Sequence, residues 1–153
     1  MKTTFAAFAL AGVLAQPAAA ITFPSLTTIY VGAGVSDDGA IINNGVATVF
    51  NCSNVSGVAA SVRFLVLNSG GASQASVTTV LQHGATHTVA THLTNTFTEN
   101  TDLSTGSVGQ GVVNIESTQS GVFCNAMIVD AADAGNGIVL PLVRVNPHPG
   151  TVE

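Results

Sequence analysis

Short runs of alternating apolar and polar residues recur along this 153-residue chain, separated by clusters of glycine, asparagine, serine and aspartate. Alternation with a period of two places successive side chains on opposite faces of a β-strand, whereas an amphipathic helix has an apolar period near 3.6. No long segment shows the helical period. The pattern therefore predicts an all-β protein whose short strands are joined by turns.

The clearest of these runs is 58–67, in which Val62, Phe64 and Val66 share one face. Eight strands are predicted in all: 27–31, 46–52, 58–67, 76–81, 86–91, 111–117, 122–130 and 138–145. Eight short strands at roughly regular spacing are typical of a single antiparallel β-sandwich of about 7–8 strands, Ig-like or jelly-roll-like.

Three features set the expected ends of these strands. The glycines of 32–34 and the turn residues 37–39 are expected to end the first strand. Residues 92–110 are rich in polar and turn-forming residues and are expected to form the longest loop. Pro141 has no backbone N–H to donate, so the last strand is expected at a sheet edge or with a bulge.

The first twenty residues have the three parts of a secretory signal peptide. Lys2 gives a positive start, residues 5–15 are apolar, and small residues at 18–20 form a cleavage site. The apolar run is shorter than the roughly 20 residues that span a bilayer. We therefore expect a signal peptide at 1–20, a secreted sandwich domain at 21–145 in the periplasm or outside the cell, and an extended tail at 146–153.

Charge excludes several classes of partner. Once residues 1–20 are removed, the chain has two cations, Arg63 and Arg144, and eight acids: Asp37, Asp38, Glu99, Asp102, Glu116, Asp130, Asp133 and Glu153. A net charge of 2 − 8 = −6 is unsuited to binding nucleic acid, which requires many phosphate contacts from Lys and Arg. The mature chain also contains no apolar segment long enough for a transmembrane helix.

Cys52 and Cys124 are the only two cysteines. In an oxidising compartment an even number of cysteines indicates a disulfide, and two cysteines allow a single intramolecular pairing. Both lie on the inward phase of their predicted strands, so a buried bridge between two core strands is expected. Two buried thiols are the alternative.

Three histidines close together in sequence, His83, His87 and His92, are the candidate ligands of a transition metal. On one continuous strand the first two would lie about 13 Å apart, so only the turn at Gly84 could bring them to one ion. The alternative is that they form the polar rim of a hairpin.

Acidic turns are the candidate calcium sites. Asp37-Asp38-Gly39 and the segment containing Asp130, Asp133 and Asn136 could present carboxylate and carbonyl oxygens, although neither has EF-hand spacing. The alternative is that Asp and Asn are simply favourable turn residues. We otherwise predict no cofactor.

Signals of catalysis are weak. The pairs Glu99/Asp102 and Asp130/Asp133 could in principle serve a glycosidase. However, the chain has no Trp and a single Tyr, and sugar sites in β-sandwiches usually stack sugar rings on such side chains. It also has no Gly-x-Ser-x-Gly elbow, and the Gly-Ala-Gly at 32–34 lacks the rest of a dinucleotide fingerprint.

Two segments, at Asn51 and Asn54, match the Asn-x-Ser/Thr glycosylation sequon. They matter only in a eukaryotic secretory pathway. Asn51 also falls within a predicted strand, which is a poor position for a glycan.

Between Val46 and Asp130 the chain runs strand, turn, strand, Ala-Thr-His-Thr-Val, long loop, Gly-Val-Val-Asn-Ile-Glu-Ser and finally Val-Phe-Cys-Asn-Ala-Met-Ile-Val-Asp. This layout resembles small β-sandwich modules of exported bacterial proteins of unknown role. It is also similar in layout to the sensory rhodopsin transducer domain, which is not exported. The resemblance implies a fold and no activity.

Three functional hypotheses remain open. The first is a secreted, disulfide-stabilised, non-enzymatic β-sandwich that acts as a binding or structural module of unknown ligand. The second is a self-assembling surface or pilus-like subunit, in which an unpaired edge strand such as 138–145 supports self-association. The third is a small metal protein or enzyme that uses His83, His87 and His92.

Overall fold

The structure is a computed structural model that describes residues 25–40, 42–133 and 136–145. Within these residues the chain forms ten strands and no helix. The strands are β1 Thr27–Asp37, β2 Val46–Asn54, β3 Ala60–Leu67, β4 Ser73–Leu81, β5 Thr86–Ala90, β6 Thr101–Asp102, β7 Val108–Ser117, β8 Val122–Asp130, β9 Gly137–Leu140 and β10 Val143–Arg144. The predicted signal peptide and tail lie outside the described residues.

The strands form two five-stranded sheets that pack face to face, consistent with a β-sandwich. Sheet A has the order β10-β1-β7-β3-β4, and sheet B has the order β6-β5-β2-β8-β9. Sheet A is antiparallel throughout, whereas β5 and β6 pair in parallel in sheet B. The all-β prediction is therefore confirmed, but the prediction of a wholly antiparallel sandwich is wrong for sheet B, because the chain after β5 loops round and returns in the same direction.

Alternation builds the core between the sheets. Inward residues of β3 (Val62, Phe64 and Val66) are fully buried, as the sequence predicted. The Phe64 ring packs against Phe50 of β2 across the sandwich, with ring centroids 6.3 Å apart. Burying a side chain of this size contributes about 1.5–3 kcal/mol, so these facing pairs hold the sheets together.

Strand β1 continues through the glycines that were expected to end it. Its register with β7 shifts between Ala33 and Val35 and again between Val35 and Asp37. Gly34 has a φ of 96°, in the left-handed region. A Cβ on the buried Gly32 would lie 2.6 Å from Leu142 Cδ2, so a side chain at this position requires Leu142 to move. The glycines therefore serve bulges and close packing rather than a turn.

The last predicted strand is divided at Pro141. Residues before it form β9, which pairs with β8 in sheet B, and residues after it form β10, which pairs with β1 in sheet A. Both pieces are edge strands. The proline thus lies where the chain leaves one sheet and joins the other.

The long loop predicted at 92–110 contains β6 and the first residues of β7. Phe97 of this loop packs on the outer face of sheet B, against a second cluster of buried apolar residues: Ala47, Val49, Ala90, Val129 and Ala131. This end of sheet B is therefore covered by the loop on the side away from the main core.

Candidate functional site

A buried Asp–His pair joins the end of β1 to the segment that follows β5. His92 Nδ1 lies 2.8 Å from Asp37 Oδ2, and the two side chains are 8% and 1% exposed. Beside them is a cavity of about 560 Å³, lined by Asp37, Gly39, Ala40, Ile42, His92, Asp102, Ser104 and Gly106. The buried pair and this cavity together form the candidate active site among the described residues.

The hydrogen bonds of the pair decide what it can do. His92 Nε2 lies 3.1 Å from the carbonyl oxygen of Asn44, which can only accept a hydrogen bond. Nδ1 faces the carboxylate of Asp37, which also accepts from Gly39 N at 2.7 Å. A general base needs a nitrogen lone pair directed at a substrate. Both ring nitrogens of His92 face acceptors within the protein. We therefore interpret the pair as a structural link between the end of β1 and the segment that follows β5.

The three candidate histidine ligands have separate partners. His83 Nδ1 accepts a hydrogen bond from Gly57 N at 3.1 Å, and His87 Nε2 lies 2.9 Å from Thr101 Oγ1. His92 bonds Asp37 and Asn44 as described. Among residues 25–40, 42–133 and 136–145, no group of three or more His, Cys, Asp or Glu side chains could hold a metal ion.

His87 is the histidine with a perturbed titration. It lies opposite Cys52 in the β2–β5 register and is half-buried. Burial penalises the charged imidazolium and lowers the pKa of His87 from its ordinary value of 6.5.

The candidate calcium ligands cap their own turns. Asp38 Oδ1 accepts from Ala40 N at 3.0 Å, and this backbone hydrogen bond is the main cause that lowers the pKa of Asp38. Asp130 Oδ1 accepts from Ala132 N at 2.9 Å. Asp133 Oδ2 accepts from the Asn136 side chain at 3.3 Å. These short-range bonds are the usual reason for Asp in turns.

The proposed glycosidase carboxylates are also bonded locally. Glu99 Oε1 accepts from Thr94 N at 3.1 Å and from the Thr94 hydroxyl. Asp102 Oδ1 accepts from Ser104 N at 2.6 Å, at the rim of the cavity beside His92. Both therefore hold the shape of the loop between β5 and β7.

The fold gathers most of the acids at one end of the sandwich, which sequence analysis did not predict. Six of them lie in the strand ends and loops around the β1–β2 and β8–β9 turns: Asp37, Asp38, Glu99, Asp102, Asp130 and Asp133. We call this the acidic end. The two described arginines lie elsewhere: Arg63 pairs with Glu116 on the outer face of sheet A, and Arg144 contacts the rings of Tyr30 and Phe123. The sequence did not indicate this cluster of acids because its members come from segments that are distant along the chain.

Asn54 organises the opposite end, which we call the Asn54 end. It is fully buried, and its Nδ2 donates to Val58 O at 2.7 Å and to Leu81 O at 2.9 Å. Its Oδ1 accepts from Ser56 N at 2.9 Å. The amide nitrogen that a glycan would need is thus occupied in the folded protein. In the other sequon, Asn51 Nδ2 donates to Asn125 Oδ1 at 3.3 Å.

The predicted disulfide is present. Cys52 and Cys124 are directly opposite in the register of β2 and β8, with Cα atoms 4.2 Å apart. Cys52 is fully buried and Cys124 is partly buried against the main core. The bond therefore joins two neighbouring strands in the middle of sheet B.

The four sheet edges differ greatly in length. Strands β10 and β6 have two residues each and β9 has four, whereas β4 has nine. No other described strand pairs with the second edge of β4. Sheet edges carry unpaired backbone donors and acceptors, so β4 is the longest free pairing surface in the described part of the chain.

No family model, curated protein or solved structure matches this chain. Its resemblance to exported β-sandwich modules therefore stays a prediction. In the part of the chain that the structure describes, no helix has the length and apolar character needed to cross a membrane.

Proposed function

We propose that this chain is a secreted, disulfide-stabilised β-sandwich that acts as a non-enzymatic binding or structural module. One observation carries the proposal. His92, the histidine best placed to be catalytic, uses both ring nitrogens in hydrogen bonds within the protein. The other candidate carboxylates likewise accept hydrogen bonds from nearby loop residues.

Export is the second part of the proposal, and it is supported by the leader-like first twenty residues and by the disulfide. We further assign the module to the immunoglobulin-like or jelly-roll-like sandwiches. The disulfide lies within sheet B, so it differs from the inter-sheet bridge of antibody domains.

The test of a non-enzymatic role compares the native chain with His92→Gln. Both proteins are incubated with chromogenic esters, glycosides and phosphate esters and with a fluorophosphonate probe for active serines. We expect neither protein to show turnover or labelling. Turnover by the native chain overturns the proposal, and its loss in His92→Gln would assign the activity to the Asp37–His92 pair.

Export is tested by intact-mass analysis of protein recovered from the periplasm or the medium. We expect a chain that begins after Ala20 and is two hydrogens lighter than the fully reduced form. A full-length chain found in the cytoplasm with two free thiols contradicts the secreted part of the proposal.

A self-assembling surface subunit is the second candidate. It is supported by the edge strand β9, on which Ile138 and Val139 are 72% and 71% exposed. An open assembly needs two different complementary surfaces on each copy. Native mass spectrometry would then show a ladder of oligomers that grows with concentration, and replacement of both residues by threonine would shorten it.

A further inference from the structure

We propose that the free edge of β4 pairs with β4 of a second copy, antiparallel about a two-fold axis, and joins the two A sheets into one continuous sheet. The inference rests on the proposed function and names its partner as a second copy of this chain. Three features of the molecule support it. The edge of β4 is unprotected, backbone groups of β4 point toward that edge, and the acidic side chains are concentrated at one end of the molecule.

Native sheets usually protect their edges by short strands, prolines or charged side chains. Three of the four edges here follow that rule, because β6, β9 and β10 have two to four residues and Pro141 separates β9 from β10. Strand β4 has nine residues with the sequence SQASVTTVL, which contains no charge and no proline. Its one irregularity lies near Ser73, and from Ala75 to Leu81 its register with β3 is regular.

Hydrogen bonds around β3 show which groups of β4 face outward. Thr118 N donates to Ser61 O at 3.0 Å, so the backbone groups of Ser61 point toward β7. Alternation then directs those of Val62 toward β4, where Val62 is opposite Thr79. Thr79 is therefore bonded to β3, while the N–H and C=O groups of Ser76, Thr78 and Val80 point to the free edge.

The same three residues place their side chains on the exposed outer face of sheet A. The regular segment 75–81 has its midpoint at Thr78. A two-fold axis there sets Thr78 opposite its own copy and Ser76 opposite Val80 of the partner copy, and the outward groups form about six hydrogen bonds. Threonine pairs and threonine–valine pairs are favourable across strands, and no like charges meet.

Charge distribution favours antiparallel over parallel pairing. Strand β4 begins beside the acidic end, where Gln74 donates to Thr105 O, and finishes at the Asn54 end, where Leu81 O accepts from Asn54 and none of the six clustered acids lies. Parallel pairing would set two acidic ends side by side. Antiparallel pairing separates them by about 30 Å along the strand, several times the Debye length of about 8 Å at physiological salt. The charge distribution therefore permits antiparallel pairing of β4 with β4 of a second copy and disfavours parallel pairing.

The first test is native mass spectrometry and sedimentation of the exported chain over a wide range of concentration. We expect a monomer–dimer equilibrium that stops at two copies, because a two-fold contact is closed. A strict monomer at all concentrations overturns the proposal. A ladder of larger oligomers also overturns it and favours the assembling subunit instead.

A matched pair of variants locates the contact on β4. Thr78→Pro removes an outward N–H and leaves the bonds to β3 intact, since proline is tolerated on an edge whose N–H faces solvent. Two central hydrogen bonds are lost, so we expect the dimer dissociation constant to rise about thirtyfold or more. Thr78→Val keeps the N–H and should dimerise as the native chain does. Equal dimerisation of the proline and valine variants overturns the proposal.

A second pair, at two exposed positions, tests the register without proline. Ser76→Lys with Val80→Lys sets like charges opposite each other twice across the two-fold axis, whereas Ser76→Lys with Val80→Glu sets opposite charges there. We expect the first double variant to dissociate and the second to remain dimeric. Equal behaviour of the two overturns this register and the proposal with it. Turnover assays on the same samples report separately on the non-enzymatic role.

Discussion

At the scale of single residues, buried polar side chains hold the ends of the sandwich together. Asn54 joins the segment after β2 to the end of β4, and the Asp37–His92 pair joins the end of β1 to the segment after β5. A buried polar group is tolerated when its hydrogen bonds are made and is costly when they are broken. These residues therefore stabilise the fold in two ways. They have hydrogen-bond partners for their own polar groups, and they supply partners for buried polar groups of neighbouring residues.

Replacement of Asn54 tests this at the Asn54 end. Asn54→Ala removes the Nδ2 donor to the carbonyl oxygens of Val58 and Leu81 and the Oδ1 acceptor of Ser56 N. We expect a loss of about 2–4 kcal/mol in the free energy of unfolding. Asn125→Ala is the control, because that side chain is exposed and makes one long bond of 3.3 Å, and it should cost less than about 1 kcal/mol. Urea denaturation of both variants gives the comparison, and equal losses would contradict the role of Asn54.

His87 gives the fold a dependence on pH. In the unfolded chain it titrates near 6.5, and burial lowers its pKa in the folded chain. Between those two values the unfolded state binds the proton and the folded state does not, so acidification favours unfolding. The contribution is fully present above pH 6.5 and is lost as pH falls toward the folded pKa. We expect the urea midpoints measured above and below pH 6.5 to differ less from each other in His87→Gln than in the native chain.

At the scale of strands, glycine marks where neighbouring backbone comes close. Gly111 of β7 lies opposite Val35, in the irregular part of the β1–β7 pairing. A Cβ on Gly111 would lie 2.8 Å from Leu67 O and 2.6 Å from Val108 Cγ1. A Cβ on Gly109, two residues earlier, would meet nothing within 4 Å. The two glycines of one strand thus differ in the room around them.

Alanine at these two positions measures the difference. Gly111→Ala must displace backbone, so we expect it to destabilise the fold by about 1–3 kcal/mol. Gly109→Ala should change stability by no more than about 0.5 kcal/mol. Thermal unfolding of the two variants under one set of conditions is sufficient. A neutral Gly111→Ala would show that β7 can shift away from β3 without cost.

The disulfide acts at the same scale, because it links β2, the central strand of sheet B, to its neighbour β8. It closes a loop with a sequence separation of 72 residues, for which the chain-entropy model gives about 4 kcal/mol. We expect reduction, or replacement of both Cys52 and Cys124 by alanine, to lower the free energy of unfolding by about 2–5 kcal/mol. Urea denaturation with and without reductant makes the measurement, and an unchanged midpoint would refute the expectation.

At the scale of the whole molecule, the chain passes repeatedly between the two sheets. Of the nine connections between the ten strands, three stay within a sheet (β3–β4, β5–β6 and β8–β9) and the other six cross. Neither sheet is formed by one continuous stretch of chain. Unfolding of one sheet is therefore expected to disrupt strand pairings in the other. We infer that the two sheets unfold as one cooperative unit.

Amide hydrogen exchange tests that cooperativity. Amides in β7, at the centre of sheet A, and in β2, at the centre of sheet B, should exchange with the same opening free energy, equal to that of global unfolding. The free edge of β4 should exchange faster in the monomer. Exchange of one central strand at a distinctly lower free energy would show that its sheet opens alone.

Local patterning made much of the fold predictable. The eight predicted segments all contain a strand, because each carries its own period-two alternation and its own turn residues. The errors fall where pairing partners override local signals. Glycines that suggested a turn lie within β1 because β7 and β10 pair on both sides of it, and Pro141 divides a strand because its two halves belong to different sheets.

The candidate site was less predictable. The three histidines are close in sequence but bond to partners in different parts of the fold. The pair that does form, Asp37 and His92, is separated by 55 residues, and neither residue indicates the other in the sequence.

The sequence by itself determined the all-β class, the inward faces of the central strands and the cysteines available for a bridge, because these follow from spacing along one strand and from residue chemistry. Tertiary structure alone decided which strands are edges, that the acids meet at one end, and that both ring nitrogens of His92 face acceptors within the protein. Those properties depend on long-range pairings, since a residue's neighbours across a sheet are set by strand order and register rather than by its position along the chain.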